Sequence, residues 1–111
     1  MKIKRDDRES VTILHLEGKI MGGPDAEAFQ KEIKALLDDG RQKVILDLGK
    51  VSWVNSTGLG ILISGHSSMK NRGGSIKLTG VNKRIDQIFM VTKLHTIFDS
   101  FETEDEALAS F

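Results

Sequence analysis

The sequence predicts a mixed α/β domain, with a partly parallel sheet of four to five strands and about four helices. Three observations predict it. Lys43 to Leu48 (KVILDL) is a nearly continuous apolar run, as suits a central strand covered on both faces. Ala26, Phe29, Ile33, Leu36 and Leu37 recur at helical spacing just before it. Val11 to Glu17 (VTILHLE) is a β-rich run ahead of that helix. Strand, helix and buried strand in succession make a crossover unit with parallel pairing.

The elements follow in order. Met1 to Arg8 is polar and weakly alternating, as an edge strand would be. Val11 to Glu17 is the next strand, and Gly18 is expected to end it. His15 inside that run reads as a half-exposed strand histidine and names no chemistry by itself. Gly22-Gly23-Pro24-Asp25 is a turn that also starts a helix, since proline is tolerated in a first turn. The amphipathic helix that follows runs about four turns to a C-terminal glycine, Gly40. After the KVILDL strand, a second helix is expected from about Thr57 to Asn71, stopped by Gly73-Gly74. Ser75 to Thr79 (SIKLT) alternates as a short strand. Asn82 can cap a third helix carrying Ile85, Ile88 and Phe89. Thr96 to Phe101 (TIFDSF) reads as another short strand. Thr103-Glu104-Asp105-Glu106 is a capping-box sequence that opens a last helix with Ala107, Leu108 and Phe111.

Composition removes several function classes. A chain of 111 residues fits one domain, and no linker, repeat or low-complexity segment divides it. Sixteen basic and sixteen acidic residues cancel, so no basic excess points to nucleic acid. The absence of tyrosine, with one tryptophan, argues against a stacking platform for single strands. No cysteine is present, which excludes disulfides, thiolate nucleophiles and cysteine metal sites. The apolar runs are too short for a membrane span, and no signal-like segment opens the chain. A cytoplasmic protein is the expectation.

Catalytic motifs are missing as well. There is no GxxxxGK[S/T] phosphate loop. Ser64 precedes Gly65, but Leu62 occupies the first glycine position of a hydrolase elbow. Gly58-Leu59-Gly60 starts like a dinucleotide fingerprint, and Ile63 stands where its third glycine should be. His15, His66 and His95 are too scattered for a metal motif. No catalytic residue, metal ligand or cofactor is expected, and an enzyme is disfavoured.

The stretch Val51 to Ile63 (VSWVNSTGLGILI) stands out by what it holds. Two hydroxyls and two glycines fall where an apolar run turns into a helix. Ser56 is placed to cap that helix by accepting from an N–H near Leu59. Capping explains one serine. It explains less well two glycines in the next turn, each costing about 1 kcal/mol of helix propensity. Glycines there let another backbone come close, or let the helix pack tightly on a strand.

The run Asp47-Leu48-Gly49-Lys50-Val51-Ser52-Trp53-Val54-Asn55-Ser56-Thr57-Gly58-Leu59-Gly60 resembles the signature of STAS domains, in particular of the bacterial anti-sigma factor antagonists. The resemblance extends over nearly the whole chain. It includes the LEGKI turn at Leu16 to Ile20, the Gly73-Gly74 break and the Thr92-Lys93-Leu94 segment. It implies a single STAS-type domain over residues 1–111. It also implies a partner, an anti-sigma factor that is a serine kinase of the histidine-kinase-like ATPase type. Binding would free a sigma factor, phosphorylation of Ser56 would release the partner, and a phosphatase would reset the switch. The implied partner surface is Asn55, Ser56, Thr57, Gly58, Leu59 and Gly60, with Met21 and Gly22. Two positions depart from the family pattern: Asn55 stands where Asp is common, and Lys93 where Gly is common. Other uses of such a domain are a scaffold without modification and a module binding a nucleotide or lipid near the same helix start.

Overall fold

In the computed structural model the chain is described over residues 1–111, apart from the side chain of His95. The elements are β1 (Lys2–Arg8), β2 (Val11–Ile20), α1 (Pro24–Asp38), β3 (Lys43–Val54), α2 (Ser56–Asn71), β4 (Ser75–Thr79), α3 (Lys83–Val91), a 3₁₀ turn at Leu94–Thr96, β5 (Asp99–Phe101) and α4 (Glu104–Ala109). The strands form one sheet in the order β1-β2-β3-β4-β5. β1 and β2 pair antiparallel, and the other three pairs are parallel. The mixed, partly parallel sheet and the four helices are those the sequence predicts.

Strand alternation sorts the core into two layers. On one face Leu14, Leu16, Val44, Leu46, Leu48, Ile76 and Leu78 pack against α1, α2 and α3 through Phe29, Ile33, Leu36, Leu62, Met69, Ile85 and Phe89. On the other, Val11, Ile13 and Ile45 lie under Ala107 of α4, with Phe101, Leu108 and Phe111 at the margin. Each large side chain so buried is worth about 1.5–3 kcal/mol, which is how a polar surface chain holds a sheet covered on both sides. Gly65 brings α2 close to α1, because a Cβ there would run into the ring of Phe29.

Four boundaries differ from the sequence reading. Gly18 does not end β2; it takes φ +91°, and the β2–β3 register slips on both sides of it. A glycine at a bulge bends a strand without stopping it. β3 continues past Leu48 to Val54, because β2 extends with it while β4 pairs only as far as Asp47. The expected strand from Thr96 shrinks to Asp99–Phe101. Its first residues are held in the 3₁₀ turn, where the Ile97 N–H donates to the Leu94 carbonyl at 2.9 Å and the Thr96 hydroxyl to that of Lys93 at 2.7 Å. Phe111 lies beyond the end of α4 and still packs against the second layer.

That turn begins at a left-handed residue, Lys93, at φ 60° and ψ 22°. A side chain there costs about 1–2 kcal/mol, and a glycine would cost about 0.5–1 kcal/mol in extra chain entropy. Lys93→Gly is therefore expected to stabilise the protein by about 0.5–1 kcal/mol. Urea denaturation would read this as a higher midpoint, and an unchanged or lower one would contradict it.

His66 on α2 has a buried Nδ1 without a hydrogen-bond partner. Its ring meets Phe98 edge-on at 5.0 Å. Burial, helped by the charge of Lys70, pushes its pKa below the ordinary 6.5. The unfolded chain then takes up the proton first. Stability from neutral His66 is full above the ordinary imidazole pKa and is lost as pH falls below it. His66→Phe is expected to flatten the decline in stability between about pH 7 and 5. Denaturation curves across that range that keep the wild-type slope would rule His66 out as its source.

Candidate functional site

β3 ends at Val54, and Asn55 turns the chain into α2 with an extended backbone, φ −92° and ψ −179°. Its Oδ1 accepts from the Gly58 N–H at 2.7 Å, and its carbonyl accepts from the Leu59 N–H at 2.9 Å. The second is the first bond of the helix itself, and the first satisfies one of the four N–H groups that a helix start leaves without partners. The cap is therefore Asn55 and not Ser56, a correction to the sequence reading. Asn and Ser are equally good caps and stand side by side here. The residue with the extended backbone takes the role, and that is one position earlier than expected.

The shift has a chemical consequence. Ser56 becomes the first helical residue, exposed, and its hydroxyl makes no hydrogen bond among the described residues. It stands at the positive end of the helix dipole, and the first turn of α2 carries no acidic residue. The N–H groups of Ser56 and Thr57 remain available beside it. Such a point can carry an anion without unfolding the helix.

The two glycines separate. At Gly58 a Cβ would clash with the main-chain carbonyl of Ile20, at the end of β2, and would reach Val54 Cγ1 at 3.0 Å. The same Ile20 carbonyl accepts from the Asn55 N–H at 3.3 Å. Gly58 therefore lets the first turn of α2 rest directly on the end of β2. At Gly60 a Cβ would meet nothing within 4 Å, and the residue is exposed. The close approach that both glycines suggested belongs to Gly58 alone.

The remaining residues implied by the resemblance fall into two groups. Gly22, at φ +111°, brings the β2–α1 loop onto Thr57: a Cβ on it would lie 2.6 Å from Thr57 Cγ2. Met21 beside it is 42% exposed. Met21, Gly22, Ser56, Thr57 and Gly60 thus share one surface, with Asn55 half-buried under it. Gly58 and Leu59 are buried, so they position this surface and do not line it.

The sequence reading passed over a neighbouring feature. Trp53, three residues before Ser56, is 39% exposed, and Val91 on α3 is 84% exposed. The two border a shallow hollow of about 430 Å³, which Arg84, Gln87, Ile88 and Thr92 complete. The available signal was the lone tryptophan between polar Ser52 and the helix start. The sequence reading ended the strand at Leu48 and left Trp53 in the apolar run before the helix, which could not show that its face was uncovered.

Comparison with known proteins bears on this geometry. A family model described as STAS domain matches residues 2–107. The anti-sigma-B factor antagonist of Bacillus subtilis is 32% identical over 74 residues, 67% of this chain and 67% of its own. Among solved structures, an anti-sigma factor antagonist from Mycobacterium paratuberculosis superposes with a TM-score of 0.83 at 23% identity, covering 98% of this chain and 92% of that one. The Bacillus cell fate determinant SpoIIAA, in its phosphorylated form, superposes with a TM-score of 0.74 at 16% identity, covering 98% of both chains. No helix among the described residues is long and apolar enough to cross a membrane. Fold, helix junction and family match agree, and the chain belongs to the STAS domain family.

Proposed function

We propose that this protein is an anti-sigma factor antagonist. It binds an anti-sigma factor that is also a serine kinase, through the surface formed by Ser56, Thr57, Gly60, Met21 and Gly22. The partner is thereby kept from its sigma factor. Phosphorylation of Ser56 ends the interaction, and a phosphatase restores it. The chain acts by binding, in the cytoplasm, and residues 1–111 are one such domain.

One observation carries this reading: Ser56 is exposed at the first position of α2 and released from capping by Asn55. A hydroxyl tied to its own helix would be a poor acceptor for a phosphoryl group. Here the hydroxyl is accessible, and the main-chain donors beside it can receive the product. The name of the Bacillus subtilis relative supports the role, and the phosphorylated form of SpoIIAA supports the modification. Met21 and Trp53 are exposed apolar side chains of the kind that partner surfaces bury.

The test is to incubate the protein with ATP and the kinase encoded beside it, then to locate phosphate by mass spectrometry. Phosphate on Ser56 is the expected result. No phosphate on Ser56 or Thr57 would leave an unmodified binding scaffold as the reading.

A further inference from the structure

The other face of the sheet holds a second chemical cluster. His15 on β2 and Asp47 on β3 are register partners in the parallel pair. By strand alternation they follow Ile13 and Ile45 onto the α4 side. His15 Nδ1 lies 2.7 Å from Asp47 Oδ2 and 3.9 Å from Glu104 Oε1, at the first residue of α4. The three donor atoms all lie within 4.8 Å of one another, and all three side chains are partly buried. None of them serves the surface around Ser56, which belongs to the opposite layer.

We propose that His15, Asp47 and Glu104 bind a divalent transition-metal ion, with Zn²⁺ the best match to the donors. Imidazole selects zinc-like ions over magnesium or calcium, and carboxylates complete the set. Zinc holds nitrogen and oxygen donors at about 2.0–2.2 Å, which sets tetrahedral donors about 3.3 Å apart. The two separations from His15, 2.7 and 3.9 Å, bracket that spacing, and all three donors lie within 4.8 Å of one another. Side-chain rotation would bring the donors to it, the ion taking the place of the contact between Nδ1 and Oδ2. Water would fill the fourth position.

The surroundings suit the role. The Gly49 N–H donates to Asp47 Oδ1 at 2.9 Å, which leaves Oδ2 turned towards His15. On the far side of the ring, Asp6 Oδ2 lies 3.8 Å from Nε2, beyond hydrogen-bond distance, and is itself held by Arg8. His15 also opens on a hollow of about 390 Å³, whose lining includes Lys4, Arg5 and Lys50. Arg5 is paired with Asp7 and Asp39, and Lys50 with Glu17, so carboxylates neutralise much of that positive charge. An ion here would tie β2 and β3 to the start of α4, which is otherwise a helix of six residues.

The experiment uses the full, tag-free chain, titrated with ZnCl₂ by calorimetry and with Co²⁺ followed by NMR. One equivalent of Zn²⁺ is expected to bind and to raise the thermal midpoint. His15→Gln and Glu104→Gln are each expected to weaken binding at least about tenfold. Co²⁺ should shift or broaden the amide resonances around residues 15, 47 and 104 first. Circular dichroism checks the fold of both variants, and Glu104→Gln, at a helix start, remains informative if His15→Gln unfolds. Wild-type affinity in a folded variant would overturn the proposal. So would Co²⁺ effects centred on His66 or His95, or no Zn²⁺ binding at millimolar concentration.

Discussion

Gly58→Ala is expected to destabilise the protein by about 3 kcal/mol or more, near the upper end for overpacking. The added methyl would meet the main-chain carbonyl of Ile20, which cannot rotate away as a side chain could. Relief requires lifting the first turn of α2 off β2. That movement would break the Asn55 to Ile20 hydrogen bond and disturb the buried Val54 and Leu59. Gly60→Ala is the matched control. It adds the same methyl two residues on into open space, and should gain up to about 1 kcal/mol from helix propensity. Urea denaturation of the pair is the measurement. Equal effects at the two positions would mean that the contact with Ile20 does not set the cost.

Ser56→Asp is expected to leave the fold intact and to abolish binding to the anti-sigma factor. A carboxylate at the first position of α2 faces free N–H groups and a favourable dipole, so the domain should tolerate it. At the interface the same charge must be stripped of water or must face the partner's own negative groups. A loss of about 3 kcal/mol there weakens binding roughly 150-fold. Phosphate, at about −1.5 to −2 charges, should do more. Ser56→Ala should bind the partner whether or not ATP is present. Calorimetry against the partner decides the matter, and wild-type affinity in Ser56→Asp would end the switch model. Asn55 bears on this result. A neutral cap keeps the hydrogen bond to Gly58 and places no charge next to an incoming phosphate.

What could be read in the sequence depended on whether its cause was local. The stripe of Phe29, Ile33 and Leu36 gave α1 because helical spacing follows from backbone geometry. Asn82 was legible as a cap, and its Oδ1 does accept from the Ile85 N–H at 2.9 Å. Thr103 likewise accepts from the Glu106 N–H at 3.1 Å. Asn55 and Ser56 were misordered because two competent caps stood together and only the backbone angle separates them. Gly58 and Gly60 looked alike because their difference lies in what a distant strand end places above each. The short β5 was hidden by the apolar run TIFDSF, where burial of Phe98 serves a turn as well as a strand. The grouping of His15 with Asp47 and Glu104 depends on strand register and on where α4 lands, and no spacing motif encodes it.

The strand order carries a consequence for synthesis. Spatial order and chain order coincide across all five strands. No strand has to be inserted between two that are already paired. As the chain leaves the ribosome, each new strand can dock on the open edge left by the last, beginning with the β1–β2 hairpin. Domains form from the N-terminus at the pace of translation. This one can grow as a nascent chain by edge addition, with β5 and α4 closing it last.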